Sequence, residues 1–296
     1  MPLLPISEIE QLAPVFRGKT GNALARGILH MFEFDKVEEL YAKVEDIKGP
    51  DGARGILELA GVHYSVAGEE NLDNLPEGSF ITISNHPIGS LDGIILIDFI
   101  AHMFPDFKVM VNKILGRVRN LEQNFISVTP VGEKRSAPTA ESISGVRMAL
   151  EHIRDGHPLG LFPSGAVSDL IPGKRPEVTM PDGSTYKEPN VRDRDWQMPI
   201  IKFISKARVP VVPIRFFDGN SWIFYALGAI HGWKIRLTRF PHEMLNKAGK
   251  TIRLGIGPVI TPEQLGRCAD SEELRILLRG AVYGMIPDNL EFKKKL

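Results

Sequence analysis

Residues 80–93 read Phe-Ile-Thr-Ile-Ser-Asn-His-Pro-Ile-Gly-Ser-Leu-Asp-Gly, and they decide the fold because they join a strand to a helix. Phe80–Ser84 alternate between apolar and small polar residues, which is typical of a half-buried strand. The Asn, Pro and Gly that follow predict a tight loop. Apolar residues then dominate from Ile94 to Ala101, as in a mostly buried helix. A histidine, His86, therefore lies at the carboxyl end of a strand, the edge where open α/β sheets bind ligands.

His86 and Asp92 are the candidate catalytic pair of this stretch. Six positions separate them, so on one continuous helix their side chains would point about 240° apart. They meet only if the loop folds back, which Pro87, Gly89 and Gly93 permit. When a carboxylate fixes one nitrogen of a neutral imidazole, the other nitrogen can take a proton from a hydroxyl. The alternative interpretation is structural, with Asp92 as a helix cap and His86 satisfied by backbone groups.

Length and composition favour a large α/β protein. The 296 residues suffice for one large domain with an appendage, and the apolar share of 43% permits a sizeable core. The net charge is zero, so charge offers no argument for nucleic-acid binding. A single cysteine, Cys268, excludes an internal disulfide and fits a reducing compartment. We find no secretory leader and no apolar run of the ~18 residues that a membrane-spanning helix needs.

Periodicity divides the chain into two parts. We predict a helical N-terminal appendage over residues 1–60 and an α/β domain over residues 61–296. Strands and helices alternate in the second part, which indicates a mostly parallel central sheet flanked by helices. Residues 164–193 carry many Gly, Pro and charged residues with little periodicity, so we expect a long functional or mobile loop there. The strand pattern of Val209–Phe216 contains prolines and predicts an edge or strand-end position.

A second junction between strand and loop, Leu161–Asp169, reads Leu-Phe-Pro-Ser-Gly-Ala-Val-Ser-Asp. Gly165 allows backbone N–H groups to approach a ligand, and such loops bind anions or oxyanions. Ser164 is a candidate nucleophile, although Phe162 and Ala166 stand where the Gly-x-Ser-x-Gly elbow has its glycines. A serine esterase is therefore one alternative function. The sequence contains neither a zinc motif nor a dinucleotide fingerprint, so we expect no metal and no cofactor.

Four ordered blocks together resemble the glycerolipid and lysophospholipid acyltransferase family, which includes 1-acylglycerol-3-phosphate acyltransferases. The blocks are Asn85-His-Pro through Asp92-Gly93, Phe125-Ile126, Phe162-Pro-Ser-Gly165 and Val212-Pro-Ile214. The first block of the family usually has four residues between His and Asp, whereas five stand here. This variant resembles a Bacteroidetes branch, labelled hemolysin-like, that includes O-acyltransferases of glycine-lipid synthesis. Two further stretches are similar to that branch: Asp218–Ser221 and Leu245–Arg253.

The resemblance implies direct transfer of a fatty acyl group to a lipid hydroxyl, without an acyl-enzyme. The donor would be a thioester of acyl carrier protein or of coenzyme A. His86 would be the general base on the acceptor hydroxyl, and Asp92 would orient it. We predict further substrate-binding residues in the same two blocks: Asn85, Gly89, Ser90, Phe162, Pro163, Ser164 and Gly165.

Two departures from the family pattern bear on the acceptor. The third block usually reads Phe-Pro-Glu-Gly-Thr-Arg, whereas Ser164 and Val167 stand at the Glu and Arg positions here. The second block usually ends in a phosphate-binding Arg, which Phe125–Val128 lacks. Because a phosphate group usually demands a positioned Arg, we favour an amino-acid (glycine) lipid as acceptor over lysophosphatidate. Basic residues in predicted loops are candidates to replace that Arg: Lys134, Arg135, Lys174 and Arg175.

The main alternative from another class is a non-catalytic protein that binds lipid or membrane, as the hemolysin-like label suggests. Such a protein would need no His–Asp pair. We expect a cytoplasmic protein in peripheral contact with the inner membrane and no nucleic-acid partner. Apolar side chains of the N-terminal helices and the aromatic stretch Trp222–Tyr225 are candidates to enter the membrane interface. Core packing is the alternative interpretation of that stretch.

Overall fold

A computed structural model describes residues 10, 16–73, 75, 77–112, 118–128, 140–231 and 238–296. Its strands are β1 (His63–Ala67), β2 (Ile81–Ser84), β3 (Lys108–Asn112), β4 (Phe125–Val128), β5 (Leu159–Leu161), β6 (Asp169–Leu170), β7 (Glu177–Thr179), β8 (Thr185–Lys187), β9 (Val191–Arg192), β10 (Val211–Phe216), β11 (Thr251–Ile256) and β12 (Lys293–Lys294). Its α-helices are α1 (Gly18–Met31), α2 (Phe34–Ala42), α3 (Gly49–Leu59), α4 (Ser90–Ala101), α5 (Ala140–Arg154), α6 (Met198–Ala207), α7 (Trp222–His231), α8 (Phe240–Leu245), α9 (Pro262–Gly266) and α10 (Ser271–Tyr283).

An eight-stranded sheet with the order β12-β1-β11-β10-β2-β5-β3-β4 forms the centre of the fold. The five strands from β10 to β4 are mutually parallel. β11 is antiparallel to β10 and parallel to β1, and β12 is antiparallel to β1. The prediction of a mostly parallel sheet flanked by helices is confirmed.

The predicted edge position of the proline-containing strand is wrong, because β10 lies between β2 and β11. Ile214 is opposite Ser84 on one side and Ile256 on the other. Pro213 comes opposite Gly257, just past the end of β11, and its carbonyl accepts the N–H of Gly257 at 2.9 Å. The antiparallel pairing continues beyond Pro213, because Val211 exchanges backbone hydrogen bonds with Ile260 at 2.9 Å and 2.8 Å. This interior strand therefore tolerates the one N–H that proline lacks.

Helix α4 is buried from Leu91 to Ala101 because it lies between the sheet and α3. It is apolar on all sides, as expected for a helix without a solvent face. Its one acidic residue beyond the first turn, Asp98, accepts hydrogen bonds from Arg54 Nε at 3.0 Å and Tyr64 Oη at 2.6 Å. These bonds connect α3 and β1 to the centre of the molecule. A second core covers the other face of the sheet, under α6 and α10.

The N-terminal part of the chain is helical from Gly18 to Leu59, with α3 packed into the main core. The boundary at residue 60 stays a prediction, and residues 1–9 and 11–15 lie outside the described residues. The stretch 164–193 forms two short antiparallel ladders, β6 with β9 and β7 with β8. Within the described ranges, no helix is both long and apolar enough to cross a membrane.

Candidate active site

The loop between β2 and α4 brings His86 and Asp92 together. Nδ1 of His86 lies 3.0 Å from Oδ2 of Asp92, whose side chain is fully buried, while 16% of the imidazole surface is exposed. The contact is too bent for a well-formed hydrogen bond, and Nδ1 has no other partner in the described part of the chain. Because Nδ1 faces the buried carboxylate, Nε2 is the ring nitrogen left for a substrate.

Asp92 also folds the loop back. Its Oδ2 accepts the backbone N–H groups of Ile88 at 2.9 Å and Gly89 at 3.0 Å, at the beginning of α4. Gly89 has a φ of 97°, and a Cβ there would lie 2.4 Å from the Phe240 ring, so the turn requires glycine. The helix-cap role and the contact with His86 therefore belong to the same carboxylate.

The Phe162 block lies directly against His86. The two rings are 4.1 Å apart between centroids, with 31° between their planes. The backbone N–H of Ser168 donates to the carbonyl of His86 at 2.9 Å. Gly165 turns the chain here with a φ of 65°, and a Cβ at this position would lie 2.3 Å from Nε2 of Gln197. His86 and Gly165 therefore lie at the same edge of the sheet, as the sequence predicts.

Ser164 is placed in its own turn rather than beside a base. Its Oγ donates to the carbonyl of Ala166 at 2.7 Å, and no described histidine is bonded to it. A nucleophilic serine needs an adjacent base, so this geometry does not support the esterase alternative. Gln197 stabilises the same turn with two hydrogen bonds. Its backbone N–H donates to the carbonyl of Pro163 at 2.9 Å, and its side-chain Nε2 donates to the carbonyl of Ser164 at 3.0 Å.

The carboxamide of Asn85 pairs with the backbone of Phe216 in β10, directly after the end of β2. Its Oδ1 accepts the N–H of Phe216 at 2.8 Å, and its Nδ2 donates to the carbonyl of Phe216 at 2.9 Å. Ser90 is the first residue of α4, next to Gly89. The predicted substrate contacts of the seven residues in these two blocks stay predictions, and the carboxamide of Asn85 is already engaged by backbone.

Asp193 is a buried acid beneath His86 that sequence reasoning missed. Its Oδ1 accepts the backbone N–H of His86 at 3.1 Å and the hydroxyl of Ser168 at 2.5 Å, and its Oδ2 accepts Nε1 of Trp196 at 3.0 Å. Burial raises the pKa of Asp193, and the hydroxyl and indole donors act in the opposite direction. The carboxylate fixes the chain at the position of the candidate base.

Helix α10 anchors the segment that carries Asp193. Arg279 forms a two-point ion pair with Glu188, at 2.5 Å and 3.2 Å, and donates to the carbonyl of Asp193 at 2.9 Å. The hydroxyl oxygen of Tyr283 accepts the N–H of Asp193 at 2.8 Å. Asp193 and Tyr283, which are 90 positions apart in sequence, thus meet next to residues 85–89, the catalytic loop between β2 and α4.

A second set of residues that the sequence did not assign to the site lies on the other side of the same loop. Nδ2 of Asn220 donates to the carbonyl of Ile88 at 3.0 Å, and Oη of Tyr225 donates to that of Pro87 at 2.7 Å. Nζ of Lys247 reaches Oδ1 of Asn220 at 3.3 Å. The sequence could have pointed to Asn220 and Lys247, because they lie in Asp218–Ser221 and Leu245–Arg253. These are the two stretches that are similar to the hemolysin-like branch.

The candidate replacements for a phosphate-binding arginine give no clamp in the described structure. Lys134 and Arg135 lie outside the described residues. Lys174 is exposed, and Arg175 donates to the carbonyls of Glu188 at 3.0 Å and Lys187 at 3.3 Å. The guanidinium of Arg175 is thus engaged by the backbone of its own hairpin.

A family model described as "Acyltransferase" matches residues 51–283. A lyso-glycine lipid O-acyltransferase of Phocaeicola vulgatus is 22% identical over 288 residues, 93% of this chain and 94% of that protein. A protein of the same name from Bacteroides thetaiotaomicron is 24% identical over 233 residues, 76% of each. The crystal structure of the 1-acyl-sn-glycerophosphate (LPA) acyltransferase PlsC from Thermotoga maritima aligns at 16% identity with a TM-score of 0.47, over 88% of this chain and 86% of that one.

The matched range contains both candidate catalytic residues, the Phe162 block and every strand of the sheet except β12. It covers well over half of the 296 residues. The prediction of an acyltransferase is confirmed, and that of a non-catalytic protein is disfavoured. This chain belongs to the acyltransferase family and is an acyltransferase.

Proposed function

We propose that this acyltransferase transfers a fatty acyl group to a lipid hydroxyl, with His86 as general base. The contact of His86 Nδ1 with the buried carboxylate of Asp92 carries the proposal, because it leaves Nε2 for the acceptor. The acceptor hydroxyl gives its proton to Nε2 while its oxygen attacks the thioester carbonyl carbon. The carbon–sulfur bond then breaks, and the imidazolium returns the proton to the leaving thiolate, so an ester and a free thiol result.

The acceptor that we favour is an amino-acid lipid, in particular a lyso-glycine lipid, rather than lysophosphatidate. Both curated relatives bear the name lyso-glycine lipid O-acyltransferase. Ser164 and Val167 replace the acidic and basic residues of the family's third block. In addition, Arg175 is engaged by backbone carbonyls. The donor is a thioester of acyl carrier protein or coenzyme A.

We also propose that the enzyme works at a membrane surface. Trp222 and Ile223 at the start of α7 are 74% and 42% exposed, whereas Phe224 and Tyr225 are buried and belong to the core. Tyr225 contacts the catalytic loop through the carbonyl of Pro87. The exposed apolar pair therefore projects from the same helix that touches the site, as a lipid-facing rim would.

Replacing His86 by alanine tests the catalytic proposal. Loss of a general base typically costs about 10²–10⁴ in rate, so we expect His86→Ala to lose transfer from a radiolabelled acyl thioester. The melting temperature should stay within a few degrees of the wild type, because Nδ1 of the ring has no hydrogen-bond partner in the described part of the chain. The matched control is His157→Ala, which removes another histidine that contacts an aspartate, Asp106 at 3.3 Å. Full activity of His86→Ala excludes His86 as the base.

A competition assay tests the acceptor. The two acceptors, an N-(3-hydroxyacyl)glycine and lysophosphatidate, are supplied together with one thioester, and kcat/KM is determined for each. We expect the higher value for the glycine compound. A higher value for lysophosphatidate contradicts the proposed acceptor and leaves the role of His86 untouched.

A further inference from the structure

Two peptide units of the catalytic loop are held from both sides. Asp92 accepts the N–H groups of Ile88 and Gly89. The carbonyls of the same two peptide units, those of Pro87 and Ile88, accept from Nδ2 of Asn220 at 3.4 Å and 3.0 Å. In a trans peptide the N–H and C=O point in opposite directions, so Asp92 and Asn220 grip the loop from opposite faces.

Lys247 determines which end of the Asn220 carboxamide faces the loop. Its Nζ donates to Oδ1 of Asn220 at 3.3 Å, so the amide nitrogen must point to the two carbonyls. With the amide reversed, its oxygen would face carbonyl oxygens and its nitrogen an ammonium group, and neither contact is a hydrogen bond. The side chain of Lys247 is 5% exposed.

The carboxylate nearest to Lys247 is largely engaged elsewhere. Oε2 of Glu243 lies 3.6 Å from Nζ, and the two carboxylate oxygens accept the N–H of Ser221 at 2.8 Å and its hydroxyl at 2.5 Å. Burial lowers the pKa of Lys247, and Glu243 and Asp92 act in the opposite direction. Stability alone rarely favours a buried ammonium group whose nearest carboxylate is shared.

We propose that Lys247 is a positioning residue of the transfer reaction, acting through Asn220 on the loop that holds His86. The inference rests on the proposed role of His86 as base. Lys247 orients the carboxamide, the carboxamide orients two peptide units, and these present their N–H groups to Asp92, which lies against Nδ1 of His86. A misplacement of about 1 Å in such an arrangement costs about 10²-fold in rate.

Lys247→Met is the main test, with Lys250→Met as control. The control removes an exposed lysine, bonded to Asn246 at 3.2 Å, from the same stretch of chain. We expect Lys247→Met to lower kcat about 10²-fold with little change in KM for the thioester. Lys250→Met should leave both kcat and KM unchanged.

Asn220→Asp and Tyr225→Phe keep the test decisive if Lys247→Met folds poorly. Asn220→Asp places a carboxylate against two carbonyl oxygens and should lower kcat. Tyr225→Phe removes the hydrogen bonds of the phenol oxygen with the carbonyl of Pro87 and the N–H of Asn220, but it introduces no charge and should lower kcat less. If Lys247→Met lowers the melting temperature and leaves the kcat of the folded enzyme unchanged, the inference is wrong. If His86→Ala retains activity in the same assay, the proposed base fails instead.

Discussion

The backbone N–H of His86 donates to the carboxylate of Asp193 at 3.1 Å, across 107 residues of sequence. The strand end that carries the candidate base is therefore fixed by a buried acid from a different part of the chain. Asp193 is itself held by Tyr283, and Arg279 donates to its carbonyl. Helix α10 thus supports the candidate site through the backbone of Asp193.

Asp193→Asn should weaken both the fold and the activity. The three groups that Asp193 accepts from are all donors, so an amide nitrogen must face one of them whichever way it is turned. An unsatisfied buried donor costs about 1–3 kcal/mol, and we expect the free energy of unfolding in urea to fall by that amount. kcat should fall as well. The exposed Asp73 gives the control Asp73→Asn, and an equal loss in the control would contradict this account.

Asp92→Asn should lower kcat with little change in the melting temperature. Oδ1 of Asp92 has no hydrogen-bond partner in the described structure, so an asparagine can place its nitrogen there and keep its oxygen for Ile88 and Gly89. We expect a melting temperature within a few degrees of the wild type and a kcat lower by about 10²–10⁴. Asp92→Ala should lose stability too, and equal melting temperatures would refute this reading of the loop.

The parts of the site that are local in sequence could be predicted. His86 and Asp92 lie in one loop between a strand and a helix, and residues that follow parallel strands meet at the same edge of a sheet. Phe162 follows β5, which pairs with β2, so the ring contact with His86 follows from the strand order.

The residues that support the site could not be predicted, because their roles depend on long-range packing. Asp193 lies in a polar stretch of sequence, and it becomes a buried acceptor only when α10 brings Arg279 and Tyr283 beneath it. Lys247 lies in the stretch Leu245–Arg253, but nothing local in that stretch shows that its ammonium group becomes buried beside Asn220. The central place of β10 was missed for a related reason, since its pairing with β2 and β11 joins strands that are far apart in sequence.

Gly165→Ala should lower both stability and kcat, because the backbone φ is positive and the added Cβ clashes with Gln197. The residue has a φ of 65°, which costs a non-glycine residue about 1–2 kcal/mol, and the new Cβ would meet Gln197. The turn next to Phe162 should shift, so we expect a lower kcat in addition to the loss of stability. The control is Gly183→Ala, with a φ of 84° and no atom within 4 Å of the added Cβ, which should lose stability alone. Equal activities of the two variants would show that the turn does not position the site.

Trp222→Ser combined with Ile223→Ser should weaken membrane binding and leave the fold intact. Both side chains are exposed, so the melting temperature should be unchanged. Full burial of one large apolar side chain contributes about 1.5–3 kcal/mol, and we expect partition into anionic vesicles to fall at least about tenfold. Transfer to an acceptor in vesicles should fall in parallel, whereas transfer to a dispersed short-chain acceptor should not. Met148→Ser is the control, because Met148 is 51% exposed on α5. If this control loses as much vesicle binding as the double variant, the start of α7 is not the membrane-facing rim.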